Sequence, residues 1–420
     1  MIETEELEVV ALDRRGDGVA EDGTVAPGAL SGERARVRRE AGRTELVEIV
    51  RPSAERVAPF CPWFGRCGGC ATQHMSESLY RSWKRSLVTK ALSRVGVEAD
   101  VGALVDAHGA GRRRAVFHAR FPHGRPEEVG FMRARSHDIV TIDDCPILAP
   151  AMRRAVMTAR ALARDLRGLG KPLDIGVTAT LDGLDVDIRG SGPVPLVETR
   201  KLIATAERLD LARISNHGVT VIERRPPRAA FGETPAALPP GGFLQATEQG
   251  ERRLAEFAEG ALKAAKKVAD LFCGAGAFSL RLARSREVFA ADIDPAAIHA
   301  LKRAAAAARG LQGLAAETRD LFRQPLRANE LASFDAALFD PPRAGAEAQA
   351  HGLAESALPL LVAISCNAAT FARDARILVD GGFRLDVVTP LDQFRYSPHV
   401  EIAAVFRRQT PKKRARRLLG

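Results

Sequence analysis

The chain lacks any apolar run long enough to span a bilayer, and its first residues, MIETEELEVVALDRRGDG, are acidic with no apolar signal region. Both absences argue against a secreted or membrane-spanning protein and make the cytoplasm the expected compartment, with no membrane partner. Internal repeats are also missing, and the one biased segment is a basic run at the carboxyl end. Six cysteines are present, and without secretion they are expected to stay reduced, which favours metal binding or catalysis over disulfides. An apolar content of 46% and a charged content of 27% over 420 residues suit two or three domains, each with its own core.

There is no excess of acid. The net charge is +10, which favours a polyanionic partner. Arginine supplies most of it, in GERARVRRE (32–40), GRRRAVFHAR (111–120), ERRPPR (223–228) and RRQTPKKRARR (407–417). Arg34, Arg36 and Arg38 are spaced by two, so a strand would put them on one face, where guanidinium groups suit phosphates. Each run alone could be a solvated face. All four together lean toward nucleic acid.

Residues 1–55 alternate short β-like runs with glycine turns, as in a small oligonucleotide-binding barrel. A cysteine-rich knot, PFCPWFGRCGGC, opens the next region, 56–245, followed by a helical stretch near 76–96 that could pack on the catalytic domain. The remainder of that region reads as α+β without a catalytic signature, and proline and glycine in PAALPPGGFLQ mark its end. Over 246–408 short apolar runs alternate with helices, which argues for a doubly wound parallel sheet, and 409–420 is a basic tail.

That last region carries the chemistry. In VADLFCGAGAFSL a strand ends at Asp270 and a glycine turn follows; about twenty residues on, VFAADID ends a second strand at Asp292, suited to ribose hydroxyls. The spacing is not that of the dinucleotide fingerprint but of class I S-adenosylmethionine methyltransferases. LFDPPRAG, with Asp340, makes a rigid loop at a third strand end, where methyltransferases line a pocket for a flipped base. Arg343 stands where amino-group methyltransferases have an aromatic residue, which argues against adenine chemistry.

LLVAISCN ends the next strand. A cysteine there reads first as core filling. On this sheet edge it can instead be a nucleophile: pyrimidine C5 is a poor nucleophile until a thiolate adds at C6, and a base must later remove the C5 proton. Cys366 is the candidate thiolate, and Glu401, an odd acid at the start of an apolar run, the candidate base. Cys61, Cys67, Cys70 and Cys145 form a separate set whose spacing fits tetrahedral zinc or a closed [4Fe–4S] cluster, and not a radical centre.

Together these residues resemble the S-adenosylmethionine-dependent RNA uracil-5 methyltransferases of 23S rRNA and tRNA, nearly end to end. ALDRRGDGVAEDGTVAPGALSGERARV resembles their amino-terminal TRAM barrel; CPWFGRCGGCATQH with DDCPIL resembles their iron–sulfur site. GFLQ, DLFCGAGAFSL, FDPPRAG, SCNAATFARD and DQFRYSPHVE follow in the family order. The resemblance implies a multidomain protein: an OB-like barrel (TRAM), a central α+β region with the iron–sulfur site, and a Rossmann-like catalytic domain. It implies Cys366 as nucleophile, Glu401 as base, and Gln245, Phe272, Asp292, Asp340 and Asp320 as cofactor or pocket residues. It implies a [4Fe–4S] cluster on Cys61, Cys67, Cys70 and Cys145, and hence 23S rRNA as the substrate, since the tRNA branch lacks the cluster. Alternatives are tRNA uracil-5 or RNA cytosine-5 methylation, or a non-catalytic iron–sulfur RNA-binding protein. Ala277, Ala368 and FRYSPHVE depart from the usual pattern, with altered loop shape expected and no loss of activity. The sequence leaves the oligomeric state open, a monomer being the default.

Overall fold

The structure, a computed structural model, describes residues 4–40 and 43–409; the basic tail expected over 409–420 lies, beyond Gln409, outside the described residues. The amino-terminal sheet is antiparallel, in the order Val25–Ala26, Gly18–Ala20, Thr4–Leu12, Arg34–Glu40, Arg43–Arg51. Its first and last strands approach each other, so the sheet curls in a way consistent with a barrel. Alternation decides its faces: Ala35 and Val37 point into a small core with Val9, Ala26 and Ala29, which turns Arg34, Arg36 and Arg38 outward.

Those arginines are not a free phosphate-binding stripe. Arg34 Nε donates to Glu8 at 2.8 Å, Arg36 bridges Glu6 (2.7 Å) and Glu48, and Arg38 pairs with Glu45. The neighbouring strands set a glutamate beside each one, a cross-strand ladder that shared-face spacing alone does not reveal. Two other runs are likewise engaged within the fold. Arg113 pairs with Glu251, Arg224 and Arg225 share Asp210, and Arg228 pairs with Asp182. The basic composition therefore overstates the exposed positive surface.

The middle sheet has seven strands, ordered Val219–Glu223, Arg213–Asn216, Gly183–Arg189, Leu173–Thr180, Arg114–Arg120, Glu128–Met132, Ile139–Thr141. Helices Ala155–Asp165 and Leu196–Arg208 share its core through Ala155, Ala159, Leu162, Leu202 and Ala206.

The catalytic sheet is built from β1 (Lys267–Leu271), β2 (Glu287–Asp292), β3 (Gly313–Thr318), β4 (Ala336–Phe339), β5 (Leu360–Ser365), β6 (Phe383–Asp392) and β7 (Glu401–Arg408). Their order is β3-β2-β1-β4-β5-β7-β6, with Val105–Asp106 on the outer edge of β6. β1 to β5 are parallel, and β7 runs antiparallel between β5 and β6. β4 and β5 are almost wholly apolar and buried, and β1 is buried from Val268 to Leu271, as strands covered on both faces must be. Helix Glu77–Arg94 begins at Ser76, whose hydroxyl accepts from Leu79 N at 3.2 Å. It buries Tyr80, Trp83, Lys84, Val88 and Leu92 on one face, and its apolar members join the core under the catalytic sheet.

Candidate active site

The parallel strands end on one edge, and that edge collects the chemistry. β1 ends beside Asp270, which is fully buried; burial lifts its carboxyl to about 7, against a hydrogen bond from Ser279 that lowers it. Its Oδ1 has no hydrogen-bond partner among the described residues. Phe272 follows with φ of +63°, a left-handed conformation that costs a bulky residue on the order of 1–3 kcal/mol and concentrates at ligand-binding turns. The strain turns the backbone so that Gly274 N donates to Asp292 Oδ2 at 2.8 Å, while Asp294 N donates to Asp292 Oδ1 at 2.9 Å. Asp292 is thus fixed at the end of β2 with lone pairs to spare for hydroxyl donors. The Phe272 ring lies 5.5 Å from Phe322, which is 40% exposed, and Asp320 caps that turn by accepting from Phe322 N and Arg323 N at 3.0 and 3.2 Å. An acid for a ribose, a turn of backbone donors and an aromatic shelf fit an adenosine-bearing cofactor.

Across the switch point lies Cys366. Asn367 caps helix Ala368–Asp380, accepting from Ala369 N at 3.0 Å, and donates to Arg343 O at 3.1 Å. The cap therefore holds the cysteine turn against the Asp340–Arg343 loop. Ala368 occupies the first helical position, where proline would also fit, so the departure there leaves the helix start intact. Strand register does the rest. Ser365 faces Ile402 in the β5/β7 ladder, and one step further sets Cys366 across from Glu401.

Glu401 is 2% exposed, and burial raises its carboxyl to about 7, against Gln393, Arg343 and Lys84, which lower it. Its Oε2 accepts from Gln393 Nε2 at 2.7 Å; the same Nε2 donates to Gln245 Oε1 at 2.8 Å, and Gln245 Nε2 donates to Asp340 Oδ2 at 3.1 Å. Asp340 is pushed well above the usual carboxylate range by burial and then by Glu401 and Asp270. Burial, with Glu401 and Asp340 nearby, raises the Cys366 thiol to about 11, while Arg343 pulls it down. The resting thiol is therefore neutral, and Arg343 is the charge that favours its thiolate. Arg343 Nη2 also lies 3.2 Å from His399 Nε2; burial, with Arg343 and Lys84, lowers His399 to about 4.

Cys61, Cys67, Cys70 and Cys145 lie apart from this edge, in the walls of a cavity of about 210 Å³ between the cysteine knot and the middle sheet. Among the described residues, no group of three or more His, Cys, Asp or Glu is placed to hold a metal ion. The expected [4Fe–4S] cluster on these four cysteines is therefore not shown, and neither is the zinc alternative; tetrahedral zinc at about 2.3 Å from each sulfur would need the four thiols within about 3.8 Å of one another. Burial raises the Cys70 thiol to about 11 and that of Cys145 to about 12. Gln73 donates toward the Cys70 sulfur, and one further donor in the cavity wall, Arg112 Nε, is buried without a hydrogen-bond partner among the described residues. An anionic guest larger than one ion, ligated by thiolates, fits such a donor set.

The sequence signature of the family described as tRNA (uracil-5-)-methyltransferase matches residues 238–409. An uncharacterized RNA methyltransferase of Brucella suis is 42% identical over 96% of this chain and 97% of its own. A 23S rRNA (uracil(1939)-C(5))-methyltransferase of Chromohalobacter salexigens is 32% identical over 97% of this chain and 90% of its own. The chain belongs to the RNA uracil-5 methyltransferase family. The crystal structure of Pyrococcus abyssi tRNA (uracil-54, C5)-methyltransferase with S-adenosyl-L-homocysteine has the same fold, with a TM-score of 0.72 at 22% identity over 96% of this chain and all of its own.

This uracil-5 methyltransferase is an S-adenosylmethionine-dependent enzyme, and its candidate residues fall into two groups. Gln245, Asp340 and Glu401 are joined through Gln393 in one buried network with the half-buried Cys366 beside it, and Phe272, Asp292 and Asp320 lie on the glycine-turn side of the same edge. Reading the sequence residue by residue missed Gln393, Lys84 and the contact of Arg343 with His399. DQF did carry a signal for Gln393: an amide at the end of a buried strand needs partners. Lys84 gave none, because a lysine on a helix reads as solvent-facing.

Proposed function

We propose that this enzyme forms 5-methyluridine in 23S rRNA by nucleophilic catalysis from Cys366 with Glu401 as base. The observation that carries this reading is the β5/β7 register, whose last pair is Ser365 and Ile402, so that Cys366 and Glu401 are the next residues on each side and close enough for Glu401 to act on the thiol, with Glu401 buried and raised to about 7. The half-buried Cys366 gives up its thiol proton to solvent, and the thiolate adds to C6 of a flipped uracil, forming a C–S bond and an enolate spread over C5 and O4. Arg343 offsets negative charge as the thiolate forms. When bound, S-adenosylmethionine supplies the methyl group that C5 takes up, leaving as its homocysteine derivative. Asp292, the Gly274 turn and the Phe272–Phe322 shelf hold that cofactor, and Gln245 and Asp340 border the pocket between it and the base. Glu401 then removes the C5 proton, the C–S bond breaks, and Cys366 leaves as thiolate.

Cys61, Cys67, Cys70 and Cys145 would hold a [4Fe–4S] cluster, a closed structural group offering no open iron. The relative named for 23S rRNA, matching across nearly the whole chain, and the four-cysteine cavity both favour rRNA over tRNA.

The Cys366→Ala protein should transfer no methyl groups, and Glu401→Gln should accumulate a covalent RNA adduct on denaturing gels. Turnover by Cys366→Ala would overturn the mechanism. Mapping 5-methyluridine in rRNA and tRNA from a strain lacking the protein tests the substrate; loss from tRNA alone would overturn the rRNA reading.

A further inference from the structure

Between the two acids of the active site runs a chain of amides with a defined direction. Asp340 accepts from Gln245, which leaves Gln245 Oε1 as an acceptor. Gln393 is 0% exposed and meets that need with its Nε2, which also reaches Glu401 Oε2. Its own Oε1 is buried and has no partner among the described residues. Leaving that oxygen orphaned is costly, and the opposite orientation would cost more, since Gln393 Oε1 would face both Gln245 Oε1 and the Glu401 carboxylate. Gly250, in helix Glu248–Ala261, makes room for this placement: a Cβ there would lie 2.6 Å from Gln393 Oε1 and 2.8 Å from its Cβ.

We propose that Gln393 is a positioning residue of methyl transfer: by donating to Glu401 Oε2 it occupies that oxygen as an acceptor and assigns the C5 proton to Oε1. The inference rests on the reading of Glu401 as the base. It gives the buried orphan oxygen a reason, because the amide is turned to serve an ionised Glu401 and not itself. The donated hydrogen bond also favours the ionised form of Glu401, alongside Arg343 and Lys84, against the burial that opposes it. The other groups facing Glu401 are Asp340 and Cys366, with His399 two residues away and Asp392 held by Lys84. Among the described residues, Lys84, Asp392 and His399 share no hydrogen bond with Gln393, whereas Asp340 is tied to it through Gln245.

The test uses Gln393→Met and Gln393→Leu in the full-length enzyme, with Glu401→Gln as control. Both Gln393 variants should keep KM for RNA and for S-adenosylmethionine within about twofold and lose about tenfold in kcat at pH 7. The midpoint of the rising limb of kcat against pH should move up by about one unit, because the base has lost a hydrogen bond to its charged form. Covalent adduct should build up at pH 7 and drain at pH 9. A midpoint does not depend on how much of the sample is folded, so partial misfolding cannot mimic the shift. A native midpoint with no adduct in the Gln393 variants, while Glu401→Gln still traps one, overturns the inference and leaves the base assignment standing. Native turnover by Glu401→Gln overturns both.

Discussion

Lys84 Nζ donates to Asp392 Oδ1 at 2.7 Å across 308 positions of sequence, with both side chains buried. The same ammonium donates to the carbonyls of Phe394 (3.1 Å) and His399, and Asp392 also accepts from the Tyr80 hydroxyl. One helix residue therefore clamps the loop between β6 and β7 that delivers Glu401.

Removing the clamp should cost both stability and rate. Lys84→Met leaves Asp392 as a buried charge without its cation, a loss of about 3–5 kcal/mol. Urea denaturation should show the midpoint falling with the slope unchanged. The double variant Lys84→Met with Asp392→Asn should recover part of that loss, since the stranded charge goes with it. Its kcat should stay low, because the loop carbonyls remain unheld.

The base itself should weigh against stability above neutral pH. Glu401 has its folded pKa raised to about 7, compared with about 4.3 in an unfolded chain. The stability linked to that shift is fully present below about pH 4 and is lost as pH rises through about 7. Glu401→Gln cannot titrate. The variant should match the native protein below about pH 4 and exceed it by roughly 3–4 kcal/mol at pH 8.5. Guanidinium melts across that range check the sign: a gap that shrinks as pH rises would contradict the burial argument.

What the sequence made legible and what it hid divide along strand pairing. Cys366 and Glu401 could be named because each sits at the end of a continuous apolar run, and a doubly wound sheet gathers such ends on one edge. The acid at Asp292 was legible for the same reason. The amide relay was not, because Gln245 and Gln393 are 148 positions apart and only the folded sheet edge makes them neighbours. Nor was the arginine ladder: Arg34, Arg36 and Arg38 look like a phosphate-binding face until the strand register brings glutamates beside them.

That ladder makes a prediction about RNA binding. Arg36 already bridges Glu6 and Glu48, so it should contribute little to phosphate neutralisation. Arg36→Gln should leave the slope of log K against log salt unchanged for an rRNA fragment, whereas losing one true phosphate contact lowers it by about 0.7–0.9. Its effect on stability should be below about 1 kcal/mol, as for exposed ion pairs generally. Filter binding between 50 and 200 mM salt would decide it; a slope reduced by a full contact would restore the stripe as an RNA surface.

The cysteine cavity carries the last prediction. Arg112 is buried in its wall, and among the described residues no carboxylate forms an ion pair with it; Cys70 and Cys145 are the first neighbours whose ionisation favours its charge. Its guanidinium also lies over the Phe394 ring at 5.5 Å, and Phe394 lies 5.9 Å from His399 in the clamp loop. A cluster on four thiolates is an anion, so Arg112 should help hold it. Anaerobically purified protein should contain iron and acid-labile sulfide in equal amounts. Cys145→Ser should lose both, and Arg112→Leu should release them to a chelator at least tenfold faster. Zinc in place of iron, or iron retained by Cys145→Ser, would count against the cluster. Release from Arg112→Leu at the native rate would show that the buried cation serves the Phe394 loop instead.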